Sequence, residues 1–129
     1  MTSKVVKIAS AGYLDESGKE GFVQFQAEDG KLFTMSSFGG EVSFHINRFM
    51  ASDRSSVPTI YNLVEQLGDK FGYTLGRVEI YQRSGVLRAS LFFSGKGGEI
   101  IFENYRASDA TVLAILYDAP IFMDEDLFE

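Results

Sequence analysis

The segment that most constrains the fold is the pair of runs at residues 74–82 and 86–93, joined by Arg83-Ser84-Gly85. Glycine readily takes the positive φ that a tight hairpin loop needs, so the two runs read as adjacent antiparallel strands. A second turn, Ser94-Gly-Lys-Gly-Gly98, leads into a further strand over Glu99–Asn104.

The N-terminal part has the same period. Residues 4–11 read as a strand, and Asp15–Gly21 as a polar loop. In residues 22–27, Phe22, Gln24 and Gln26 alternate with Val23, Phe25 and Ala27, which is strand periodicity. Glu28-Asp29-Gly30 is a hairpin turn into the strand at 31–36. The period then changes. Val42, Ile46 and Phe49 stand at i, i+4 and i+7, so Glu41–Met50 reads as a helix. A second helix is expected from near Pro58, with Ser55 or Ser56 as its cap and Gly72 as its stop. Its apolar stripe is Ile60, Leu63, Val64, Leu67 and Phe71. Ser108 is expected to cap a third helix through Tyr117, ended by Pro120. Ile121–Met123 reads as a short closing strand and Asp124–Glu129 as a final helical turn. The sum is an α+β fold: a mostly antiparallel sheet with about three helices, in one compact domain over residues 1–129.

A chain of 129 residues is the size of one domain and can bury roughly two thirds of its unfolded surface. It has no cysteine, which excludes disulfides, thiolate metal sites and a cysteine nucleophile. No apolar run approaches the ~20 residues of a membrane span, and the N-terminus does not read as a signal peptide. A cytoplasmic location is therefore expected. The net charge of −6 gives no general attraction for a phosphate backbone, and no basic run is visible. Much of the acid lies in Asp124–Glu129.

Arg106-Ala-Ser-Asp-Ala110, an apolar helix and then Ala119-Pro-Ile-Phe122 resemble the Arg-Pro-Ser-Asp-Ala to Ala-Pro-Ile block of the bifunctional nuclease (DNase/RNase) domain family. Val57-Pro-Thr-Ile-Tyr-Asn-Leu-Val64 and the following helix and hairpin are similar to that family's middle section, and Glu41 matches its glutamate at the start of the first helix. The resemblance covers most of residues 20–129. It departs from the family's Arg-Pro-Leu-Thr-His-Asp motif at Val57, Tyr61 and Asn62, from its Asp-Ala pair at Asn104-Tyr105, and from its later proline at Ala107. It implies a nuclease acting on DNA or RNA with a divalent cation, Mg²⁺ or Mn²⁺. Asp109, Glu41 and Glu103 would be the metal ligands, and Arg106, Asp109 and Glu41 the catalytic groups.

Each of these residues also has a plain structural reading. Asp109 and Glu41 open helices, where the dipole favours an acid. Glu103 and Asn104 end a strand just before Asp109, where they either converge with it or are solvated. Arg106 suits a phosphate but also an ion pair with Asp109 or Glu103. His45, the only histidine, reads as structural or surface. Ser94–Gly98 lies between strands, so it is a hairpin turn rather than a phosphate loop. Tyr61, Tyr81 and Tyr105 suit base stacking or packing. Two functions are open to such a chain: a metal-dependent nuclease, or a non-catalytic binding module that kept the fold and lost charged groups at Tyr61, Asn62 and Asn104. A homo-oligomer contact through the acidic tail, Phe122 and Phe128 is compatible with either.

Overall fold

The computed structural model describes residues 2–128. Strands β1 (Ser3–Tyr13), β2 (Glu20–Ala27) and β3 (Leu32–Gly39) form an N-terminal meander, followed by helices α1 (Gly40–Met50) and α2 (Ile60–Phe71). Strands β4 (Thr74–Arg83), β5 (Val86–Gly95) and β6 (Gly98–Arg106) form a second meander. Helix α3 (Ala107–Leu116), strand β7 (Ile121–Asp124) and a 3₁₀ turn over Glu125–Phe128 complete the fold. The β4–β5 loop is Ser84-Gly85, with φ of 54° and 80°. Positive φ at both loop residues gives the twist that a two-residue hairpin favours.

All seven strands share one sheet in the order β3-β2-β1-β7-β4-β5-β6. The short β7 joins the two meanders. It pairs antiparallel with β1 and parallel with β4, the one parallel pairing among the described residues. The fold is α+β, as the period changes along the sequence indicate.

The alternation in β2 sorts its side chains as expected: Val23, Phe25 and Ala27 are buried. Val42, Ile46 and Phe49 carry the buried stripe of α1, which packs on β1 and β2. Helix α3 packs against α1 and spans β4, β5 and β6, and is buried along most of its length.

Two helix starts differ from the sequence reading. The cap of α2 is Thr59, not Ser55 or Ser56. Thr59 Oγ1 accepts from the Asn62 backbone N–H, and the Asn62 side chain accepts from the Thr59 backbone N–H. This reciprocal box satisfies two amide donors that the helix itself leaves free. Helix α3 begins at Ala107, with Arg106 at its N-cap and no side-chain capping bond, so Ser108 lies buried in the first turn. Gly72 ends α2 in the left-handed conformation at φ 79°.

Candidate functional site

The site forms where the start of α3 meets α1, α2 and the end of β6. A β-bulge lies on β6 between Phe102 and Tyr105, which pair with Leu91 and Ala89 of β5. On β6, Asn104 takes φ 66°, and its N–H donates to the Tyr81 hydroxyl at 3.0 Å. A bulge turns the strand locally and re-aims the residues beyond it. Arg106 then sits at the cap of α3, one helical turn before Asp109.

Arg106 donates to Asp109 through two nitrogens, Nε to Oδ2 at 2.9 Å and a terminal nitrogen to Oδ1 at 3.1 Å. The Tyr61 hydroxyl donates to the same Oδ1 at 2.7 Å. Burial pushes the Asp109 pKa up, but the bonds from Arg106 and Tyr61 and the guanidinium charge outweigh it, and the net shift is downward. Burial and the Asp109 carboxylate push the Tyr61 phenol upward, so it stays a donor. The Arg106 guanidinium is raised by its bonds to Asp109.

Tyr61 is held in place from the loop before α2. The buried Arg48 donates to the backbone carbonyls of Asp53 at 3.3 Å and Val57 at 3.0 Å, and Asn62 Nδ2 donates to that of Arg54 at 2.8 Å. His45 is buried beside Tyr61, their rings 6.1 Å apart. Its Nδ1 faces an Arg48 nitrogen at 3.2 Å. A guanidinium only donates, so Nδ1 accepts. That leaves Nε2–H to donate to Glu41 Oε1 at 3.4 Å. His45 is therefore a structural link between Glu41 and Arg48, one of the two roles its sequence position suggested.

Arg106, Ala107 and Ser108 line a polar cleft of about 710 Å³, with Arg88, Gln82 and Ser36 on the surrounding walls. Two guanidiniums and the first turn of a helix lie on this cleft, an arrangement that suits a bound anion, with the Asp126 carboxylate also on its lining.

The predicted site residues separate into two groups. Asp109 and Arg106 are bonded to each other. Glu41 reaches them only indirectly: it touches His45, which packs on Tyr61, and its side chain is 85% exposed. The Glu103 side chain is exposed and makes no hydrogen bond or ion pair among the described residues. No group of three or more acidic or histidine side chains among the described residues is placed to hold a metal ion. Both oxygens of Asp109 already accept bonds, so this donor set does not fit a resident divalent cation.

Sequence reasoning missed the Tyr61–Asp109 bond, which links residues 48 positions apart, and it missed Arg88. The ion pair of Arg106 with Asp109 was one of the expected structural partners. Tyr81 holds the bulge, and Tyr105 is exposed. The Ser94–Gly98 segment is a hairpin turn, as read.

The site is thus a tyrosine–carboxylate–guanidinium triad beside a polar cleft of an α+β domain. A model of the bifunctional nuclease domain matches residues 39–129, more than half of the chain, and the chain belongs to that family. The match begins at the end of β3, yet β1 pairs with β7 inside the matched region, so the preceding strands are part of the same sheet. No curated protein matches the chain. No helix among the described residues is long and apolar enough to cross a membrane.

Proposed function

We propose that the chain binds and cleaves nucleic-acid phosphodiesters at the cleft beside the start of α3. One observation carries this reading, beside family membership: the Arg106 guanidinium is more than half exposed on the cleft wall and is aimed by a two-point bond to Asp109. A phosphate presents the same two-point acceptor geometry as a carboxylate. Arg106 is the phosphate contact in this reading, with Arg88 on the same cleft as a second cation.

Asp109 fixes the plane of Arg106 through Nε and one terminal nitrogen, and the remaining guanidinium N–H groups are the ones able to meet a phosphate. In hydrolysis the water oxygen bonds to phosphorus, its proton leaves to a base or to solvent, and the bond to the leaving sugar oxygen breaks as that oxygen takes up a proton from solvent.

A second reading has its own observation. Asp109 is held ionised and doubly engaged, as expected of a structural carboxylate. A nucleic-acid-binding module without cleavage is consistent with that. Both readings put nucleic acid on Arg106. The test is binding of labelled single- and double-stranded DNA and RNA at several salt concentrations. Each phosphate contact contributes about 0.7–0.9 to the slope of log affinity against log salt. Arg106→Ala is expected to weaken binding and lower the slope by about one contact. Binding unchanged by Arg106→Ala removes both readings.

A further inference from the structure

Arg88 on β5 and Arg106 on β6 are direct partners in the strand ladder. Opposed side chains of an antiparallel pair share one face, their Cβ atoms about 4.5–5.5 Å apart, and like charges placed so repel. Asp109 neutralises Arg106. Arg88 has no such partner: it is half-buried on the cleft and forms no ion pair among the described residues. An unpaired guanidinium beside a paired one is an arrangement that a bound anion completes.

The same cleft carries one unpaired carboxylate. Of the acids Asp124, Glu125 and Asp126, only Asp126 is on the lining. Its side chain is exposed and forms no ion pair among the described residues. Its backbone is pinned from both sides. The Asp126 N–H donates to Asp124 Oδ1 at 3.1 Å, and the Glu125 N–H donates to the Thr2 carbonyl at 2.9 Å. Beyond it, the Phe128 ring packs edge-on against Phe33 at 6.1 Å, with the Lys4 ammonium 4.6 Å from its centre. The 3₁₀ turn therefore holds a negative charge at the cleft.

That charge separates two kinds of phosphate. A phosphodiester inside a strand carries one negative charge, whereas a phosphate monoester carries about 1.5–2 at neutral pH. Coulomb repulsion grows with the ligand's charge, so Asp126 opposes the monoester about twice as strongly. The cations Arg88 and Arg106 are matched by the carboxylates Asp109 and Asp126, and a second phosphate charge finds no surplus cation.

We propose that Asp126 is a specificity-determining residue, which turns the cleft toward internal phosphodiesters and away from terminal phosphates and mononucleotides. The inference rests on the reading of this cleft as a phosphodiester site. Hydrolysis of a diester by water leaves a hydroxyl end and a monoester end. The monoester end carries the added charge, so the same carboxylate favours its release.

The test is displacement of a labelled oligonucleotide from the full chain by millimolar thymidine 5′-monophosphate and by its methyl ester, which differ in one methyl group and one charge. The wild type is expected to hold the monophosphate no more tightly than the methyl ester. Asp126→Asn is expected to shift the preference toward the monophosphate by about fivefold. Glu125→Gln removes the same net charge from a neighbour off the cleft lining, and is expected to leave the ratio unchanged. No displacement by either ligand, or binding of both unchanged by Arg106→Ala, overturns the phosphodiester reading and this inference with it. Arg106-dependent binding overturns the role of Asp126 alone in three cases: the wild type prefers the monophosphate, the ratio does not move in Asp126→Asn, or it moves as far in Glu125→Gln.

Discussion

Asp109 concentrates the site's chemistry in one carboxylate, and its surroundings make its behaviour testable. Its folded-state pKa lies below the unfolded value of about 3.9. Its stabilising contribution is therefore full above that unfolded value and is lost as pH falls through the lowered folded one. Asp109 is partly exposed, so solvent screens much of this effect. Tyr61→Phe removes the 2.7 Å bond. It is expected to raise the Asp109 pKa in an NMR titration and to cost about 1 kcal/mol in urea unfolding at neutral pH. The deficit is expected to shrink as pH drops below the titration range. An Asp109 pKa unchanged in Tyr61→Phe would show that the bond does not tune the carboxylate. The Arg106–Asp109 half of this unit was legible in the sequence, because residues three apart on one helical turn meet locally. The Tyr61 half was not, since only the docking of α2 on α3 brings it there.

At the scale of the elements, the start of α1 is set by a close approach. A Cβ at Gly40 would overlap the backbone carbonyl of Gly18, while the Gly40 N–H donates to the Lys19 carbonyl at 3.0 Å. Gly40→Ala is expected to cost about 1–3 kcal/mol, seen as a lowered thermal midpoint, because the clash is with backbone that cannot rotate away. An unchanged midpoint would mean that the β1–β2 loop gives way freely. Thr59→Ala is expected to cost about 1 kcal/mol through loss of the α2 cap. That cap escaped the sequence reading because Asn62 replaces the usual glutamate or glutamine of a capping box, and because Pro58 marked a start two residues too early. Ser108 misled in the opposite direction: the chain enters α3 one residue before it, at Ala107. The α2 stripe was legible as an amphipathic face, but periodicity says only that a face is apolar, not what covers it.

For the whole molecule, β7 and the α1–α3 packing unite two meanders into one sheet with one core. Phe49 is fully buried in that core, and its ring stacks on His45 and lies 4.6 Å from the Arg48 guanidinium. Phe49→Ala is expected to cost about 3–5 kcal/mol and to weaken the Arg48 clasp on the loop before α2. Fold class and element order were readable from the two periods and their turns. The β1–β7–β4 junction was not, because it is a long-range pairing of a four-residue strand. The same junction holds the N-terminal strands and the region around Asp109 in one frame. The direct test of that site is a cleavage assay on single- and double-stranded DNA and RNA with Mg²⁺, Mn²⁺ or EDTA, comparing wild type, Asp109→Ala and Arg106→Ala. Cleavage by the wild type is expected, with a loss of about a hundredfold or more in each folded variant. Cleavage undiminished in both variants, or no cleavage of any substrate by folded wild type, would contradict a nuclease site at the start of α3.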